Sequence, residues 1–133
     1  MYNELVEDIK LNEGFRGEPY DDTEGFPTIG YGTKLPITKE EAQLLLEYRL
    51  NQVIDELTER KLKDLNLKEE AVFILYDMAY NMGVPKLMQF KKMWEALEVQ
   101  DYSKASAEMM DSKWYVQVKS RAEKLVEKMK GLA

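Results

Sequence analysis

The chain has 133 residues, no cysteine, no histidine and a formal net charge of −6. That length suits one domain with a real core, and 44% hydrophobic with 33% charged residues describes a globular chain rather than a disordered one. The missing residue types exclude a disulfide framework, thiolate and imidazole metal sites and every Ser–His or Cys–His triad, so acid–base chemistry near neutral pH falls to carboxylates, Tyr or Lys; the acidic balance weighs against nucleic acid as a partner.

Residues 2–12 carry Leu5, Val6, Ile9 and Leu11 at helical spacing, and Gly14 ends that helix. The start of the chain is acidic and periodic, unlike the basic-then-apolar pattern of a signal peptide. From 15 to 33 the helical period is lost. Aromatic and β-branched residues alternate there with Gly, Pro and Asp, which predicts a hairpin or three-stranded meander with its turn at 21–25. Five of the seven glycines of the chain fall in residues 11–33. Thr38 followed by Glu41 reads as a capping box behind Ile37, opening a helix to about Arg60. Its apolar side is Ala42, Leu45, Leu46, Tyr48, Leu50, Val53, Ile54 and Leu57.

The remainder is predicted helical almost throughout. A central helix over 67–82 carries Ala71, Val72, Ile74, Leu75, Met78 and Ala79. Gly83-Val84-Pro85 breaks it, and further helices follow near 90–98, 101–111 and 113–131. Trp94, Trp114 and the methionines read as core, and the charge-rich 56–70 as a solvated face. No apolar run reaches membrane length. The expected architecture is α+β: a small β-lobe over about 14–36, a linking helix over 38–60, and a larger helical lobe of 61–133 completed by helix 2–12.

Two acids stand out in the glycine-rich segment. Glu13 ends the first helix, Asp22 follows nine residues later and Thr28 six after that. Cleavage of a glycosidic bond needs an acid to protonate the leaving oxygen and a second carboxylate to activate a water or attack the sugar. Glu13 suits the first role where burial raises its pKa, Asp22 the second, and the Thr28 hydroxyl can hold a water. Among 25 acids, spacing alone leaves open that Glu13 is a surface residue and Asp22 a turn former.

Residues 13–33, EGFRGEPYDDTEGFPTIGYGT, resemble the active-site segment of the phage-type lysozymes, or endolysins, of glycoside hydrolase family 24. The family pattern Glu-x8-Asp/Cys-x5-Thr followed by Ile-Gly-x-Gly falls on Glu13, Asp22, Thr28 and Ile29-Gly30-Tyr31-Gly32. Two further blocks resemble the same family: Ser112-Lys113-Trp114-Tyr115-Val116-Gln117 with Arg121-Ala122, and Met78-Ala79-Tyr80-Asn81-Met82-Gly83 with Phe90. The resemblance implies a lysozyme-like fold with a cleft between its lobes. It implies Glu13 as general acid, and Asp22 with Thr28 positioning the water. Arg121 would pair with the catalytic glutamate, and Tyr80 and Asn81 would contact substrate. Lys34, just after the Gly-x-Gly segment, is a further substrate-contact candidate by its place at the cleft rim, with a solvated surface lysine as the alternative.

The implied activity is hydrolysis of the β-1,4 bond between N-acetylmuramic acid and N-acetylglucosamine in peptidoglycan, with inversion. It would be carried out by a monomer that needs no cofactor or metal. It also implies synthesis in the host cytoplasm and access to the wall through a holin-type lesion. A catalytically silent wall-binding domain and a lytic transglycosylase are the alternatives, and the intact Glu13, Asp22 and Thr28 set disfavours both. Three features depart from the T-even type: Thr33 replaces a histidine, the segment 33–38 is short, and the chain is acidic where the best-known members are basic.

Overall fold

The computed structural model describes residues 1–133. It is α+β, with eight α-helices and one three-stranded antiparallel sheet near the N-terminus, and it divides into two compact units, Met1–Leu45 and Leu46–Ala133.

The first unit opens with α1 (Tyr2–Glu13). Gly14 ends it at φ +72°, a conformation that glycine adopts without strain, and its N–H donates to the Lys10 carbonyl. No residue of α1 is buried. The sequence assigns helix 2–12 to the helical body, but in the structure it groups with the sheet. The ties are local. The Lys10 ammonium lies 5.5 Å from the centre of the Tyr31 ring, and that ring packs against Phe15 at 5.5 Å.

The sheet runs β1 (Arg16–Asp21), β2 (Pro27–Gly30) and β3 (Thr33–Lys34), in that spatial order. Its middle row aligns Tyr20 with Thr28 and Thr28 with Lys34. β1 is an edge strand with an irregularity between Arg16 and Tyr20, and Pro19 falls inside it. A proline there removes no N–H that the ladder needs.

α2 (Lys39–Arg60) opens on the expected capping box: the Glu41 N–H donates to the Thr38 hydroxyl at 3.1 Å, and the Thr38 N–H to the Glu41 carboxylate at 2.9 Å. Thr38→Ala is expected to destabilise the protein by about 1 kcal/mol. Chemical denaturation of the variant checks this, and an unchanged midpoint would count against the cap. The expected apolar side of α2 is mostly not buried: Leu57 is, whereas Leu45, Leu46 and Tyr48 are exposed. At 22 residues the helix is about 33 Å long. The boundary between the units falls within it, between Leu45 and Leu46, and toward its C-terminal end Val53 and Leu57 join the core of the second unit.

In the second unit a short 3₁₀ turn (Leu62–Asp64) leads to α3 (Glu69–Met82), whose Ala71, Ile74, Leu75, Met78 and Ala79 are buried as its spacing predicts. α4 (Val84–Met88), α5 (Lys91–Glu98), α6 (Tyr102–Met110), α7 (Lys113–Gln117) and α8 (Lys119–Lys130) complete it. Two details differ from the sequence reading. Pro85 lies in the first turn of α4, where its missing N–H is harmless, so the same residues that stop α3 start a helix. The expected helix 113–131 is two helices, interrupted at Val118 (φ −121°). Both tryptophans are buried anchors: Trp94 Nε1 donates to the Leu87 carbonyl at 3.0 Å, and Trp114 Nε1 to Asn81 Oδ1 at 2.9 Å. Met78, Met93, Met109 and Met129 are buried core, whereas Met110 is exposed. The charged stretch is a solvated face with i,i+4 pairs Glu56–Arg60 and Glu59–Lys63. No helix is long and apolar enough to cross a membrane.

Candidate active site

Glu13, Asp22, Thr28 and Lys34 all belong to the first unit. Glu13 is the last residue of α1 and is exposed. Its carboxylate lies against Gly32 in the β2–β3 turn: a methyl group at Gly32 would sit 2.5 Å from Glu13 Oε2 and 2.7 Å from Cδ. Gly32 is at φ +75°. The absence of a side chain there therefore leaves the space that the catalytic candidate occupies.

Asp22 closes the β1–β2 turn. Its Oδ1 accepts the N–H of Glu24 at 2.9 Å and of Phe26 at 2.8 Å, an Asx arrangement that builds the turn. Its Oδ2 forms an ion pair with the Lys34 ammonium, which reaches it from β3. The Asp22 side chain is 18% exposed. The Lys34 hydrogen bond, then the Phe26 N–H, hold its carboxyl below the usual carboxylate range. The hydrogen bond to Asp22 correspondingly raises Lys34, with the charges of Asp22, Glu13 and Tyr20 adding to it against desolvation. A depressed acid stabilises the fold above its unfolded value of 3.8 and loses that contribution as pH falls through its folded value; a raised lysine does so below 10.5 and loses it as pH rises through its folded value. The pair is therefore intact across the range between.

Thr28 is 1% exposed, and its hydroxyl donates to the Phe26 carbonyl at 2.8 Å. Its proton is committed to the backbone, so toward a water it can act only as acceptor. Lys34, expected to contact substrate, has its ammonium engaged by Asp22.

The other candidates lie in the second unit. Tyr80 is 36% exposed near the end of α3. Beside it Asn81 uses its amide oxygen for Trp114 and borders a pocket of about 780 Å³, which Trp114, Gln117 and four lysines (Lys86, Lys91, Lys92 and Lys113) also line. Tyr80 is not on that wall. Arg121, for which the resemblance implies a pairing with Glu13, is engaged by Asp77 of α3 within its own unit: Nε donates to Oδ1 at 2.9 Å, and Nη2 contacts the same oxygen. No group of three or more acidic side chains converges as a metal site would require.

Sequence reasoning missed the reason for Gly32, the Lys34–Asp22 pair and the Asp77 partner of Arg121. The glycine was visible in the Gly-x-Gly motif. The two pairs join residues 12 and 44 positions apart, and no local pattern announces them.

A family model described as phage lysozyme matches residues 10–132, nearly the whole chain. The chain belongs to the phage lysozyme family. The chain is 30% identical to the pre-baseplate central spike protein Gp5 of Enterobacteria phage T4, over 91% of this chain and 26% of that protein. It is 28% identical to peptidoglycan hydrolase gp36 of Pseudomonas phage phiKMV, over 88% of this chain and 14% of that protein. It is also 25% identical to probable T4-type lysozyme 2 of Dictyostelium discoideum, over 95% of this chain and 93% of that protein. The chain thus spans about a quarter or less of the two phage relatives and nearly all of the Dictyostelium one.

Proposed function

We propose that this chain is a peptidoglycan hydrolase of the muramidase type, cleaving the β-1,4 bond between N-acetylmuramic acid and N-acetylglucosamine with inversion. The observation that carries the reading is the contrast between two carboxyls in one small unit. Asp22 takes three hydrogen-bond donors and is held ionised, while Glu13 ends a helix with its carboxyl exposed beside a glycine. Two acids in unlike environments suit two roles. Glu13 donates a proton to the leaving oxygen once bound sugar has excluded water from it. Asp22 carries the fixed negative charge that orients a water and opposes positive charge on the ring, with Thr28 bracing the turn and offering a lone pair. In the second unit, Tyr80 and Asn81 at the end of α3 present an aromatic ring and an amide, groups that suit N-acetyl sugars. The names of the relatives, one a peptidoglycan hydrolase and one a T4-type lysozyme, agree with this substrate.

Mass analysis of digested peptidoglycan tests the reaction. Hydrated muramic ends are expected. Anhydro ends would point to a transglycosylase, and an uncut polymer to a silent binding domain. Inversion leaves room for a water between the carboxyls, a gap of roughly 6.5–9.5 Å. NMR of the first product should therefore show the α-anomer, and a β-anomer would replace inversion with a retaining route.

A further inference from the structure

We propose that Lys34 is a positioning residue for Asp22, holding the second carboxylate of the site in its working orientation and keeping its charge distinct from that of Glu13. This rests on the role given above to Asp22. The geometry that carries it is the division of labour at the Asp22 carboxylate. Oδ1 is consumed by the turn, through the N–H groups of Glu24 and Phe26, and Oδ2 is left facing β3. The sheet register sets Lys34 directly opposite Thr28, which in turn lies opposite Tyr20, so the three share one row across the sheet. From that row the Lys34 side chain reaches Oδ2.

The groups facing the pair within this unit are Tyr20 on β1, Glu13 at the end of α1, and the Glu24 and Phe26 N–H groups of the turn. Like charges resist ionising together, so of two carboxyls in one site the better-stabilised one carries the charge and the other keeps its proton. A cation bonded to Asp22 rather than to Glu13 assigns the charge to Asp22. In a chain without histidine, lysine and arginine are the side chains that can supply it.

The test uses wild-type protein, Lys34→Met and Lys34→Arg, with two readouts. Carbon-13 NMR titration of the Asp22 carboxyl requires no activity. Its midpoint should rise toward the ordinary aspartate value in Lys34→Met and stay low in Lys34→Arg. The pH profile of kcat/KM on purified peptidoglycan should show its acid limb rising in step in Lys34→Met, with kcat near neutral pH reduced by roughly ten- to a hundredfold, the scale of one lost charge-assisted hydrogen bond. Lys34→Arg should restore most of it. An Asp22 midpoint unmoved in a folded Lys34→Met would overturn the proposal. So would a midpoint that moves while the acid limb stays in place, which leaves the hydrolase reading standing. A wild-type protein that leaves peptidoglycan uncut would instead overturn the hydrolase reading and take the positioning role with it, whatever the midpoint does.

Discussion

Glu13→Gln is expected to lower the rate of peptidoglycan hydrolysis by roughly 10²–10⁴, the usual contribution of a general acid, while leaving the protein folded. The amide has nearly the shape of the carboxyl but no proton to give a leaving oxygen. The structural cost is small because Glu13 is exposed at the last position of α1, and the helix is ended by Gly14 rather than by the glutamate side chain. Surface substitutions of this kind change stability by about 0.5 kcal/mol or less. A negative charge at a helix C-terminus is also mildly unfavourable, so its loss removes a small strain. Lysis of chloroform-treated Gram-negative cells, read beside a thermal melt, separates the two effects. A variant that melts like wild type and lyses at near wild-type rate would take the acid role away from Glu13.

Gly32→Ala should cost activity out of proportion to stability, by roughly 10²-fold in kcat, the scale expected when a reacting group is displaced by about 1 Å. The added methyl would meet the Glu13 carboxylate at 2.5 Å. That carboxylate is the free end of a flexible side chain, so it yields, and in yielding leaves its position. Gly30→Ala is the matched control. Gly30 has nearly the same φ, +69° against +75°, but a methyl there meets nothing within 4 Å. Both variants carry the left-handed penalty of about 1–2 kcal/mol and should melt a few degrees lower. Only Gly32→Ala should lose catalysis beyond that. Equal kcat values for the two would mean that Gly32 serves the turn alone.

The sequence was most readable where the determinants are local. The Thr38–Glu41 box, the stop at Gly14, the Asp22–Gly25 turn and the buried face of α3 each follow from residues within a few positions of one another. Errors arose where local rules conflict or where distant residues decide. Gly83 and Pro85 end one helix and begin the next, and both readings use the same chemistry. The break at Val118 has no glycine or proline to mark it; a β-branched residue with negative φ leaves the helical conformation there (φ −121°, ψ 43°). The apolar stripe of α2 is periodic along its whole length, but periodicity does not say which turns find a partner.

At the candidate site, the motif gave the identity of Glu13, Asp22 and Thr28. What each does to its neighbours depends on the sheet register. That register turns Lys34 toward Asp22 and commits the Thr28 proton to Phe26.

The family pattern admits either aspartate or cysteine at the second catalytic position, yet in this chain the two are not interchangeable. Asp22 both builds the turn and carries the charge, through different oxygens of one carboxylate. A thiol has a single weakly accepting sulfur and cannot take the Glu24 and Phe26 N–H groups together while also answering Lys34. Asparagine would keep the turn and lose the charge. Cysteine at this position would therefore require residues 22–26 to close their turn without the side chain that now accepts both N–H groups, so the choice of acid is tied to the shape of the loop as well as to its charge.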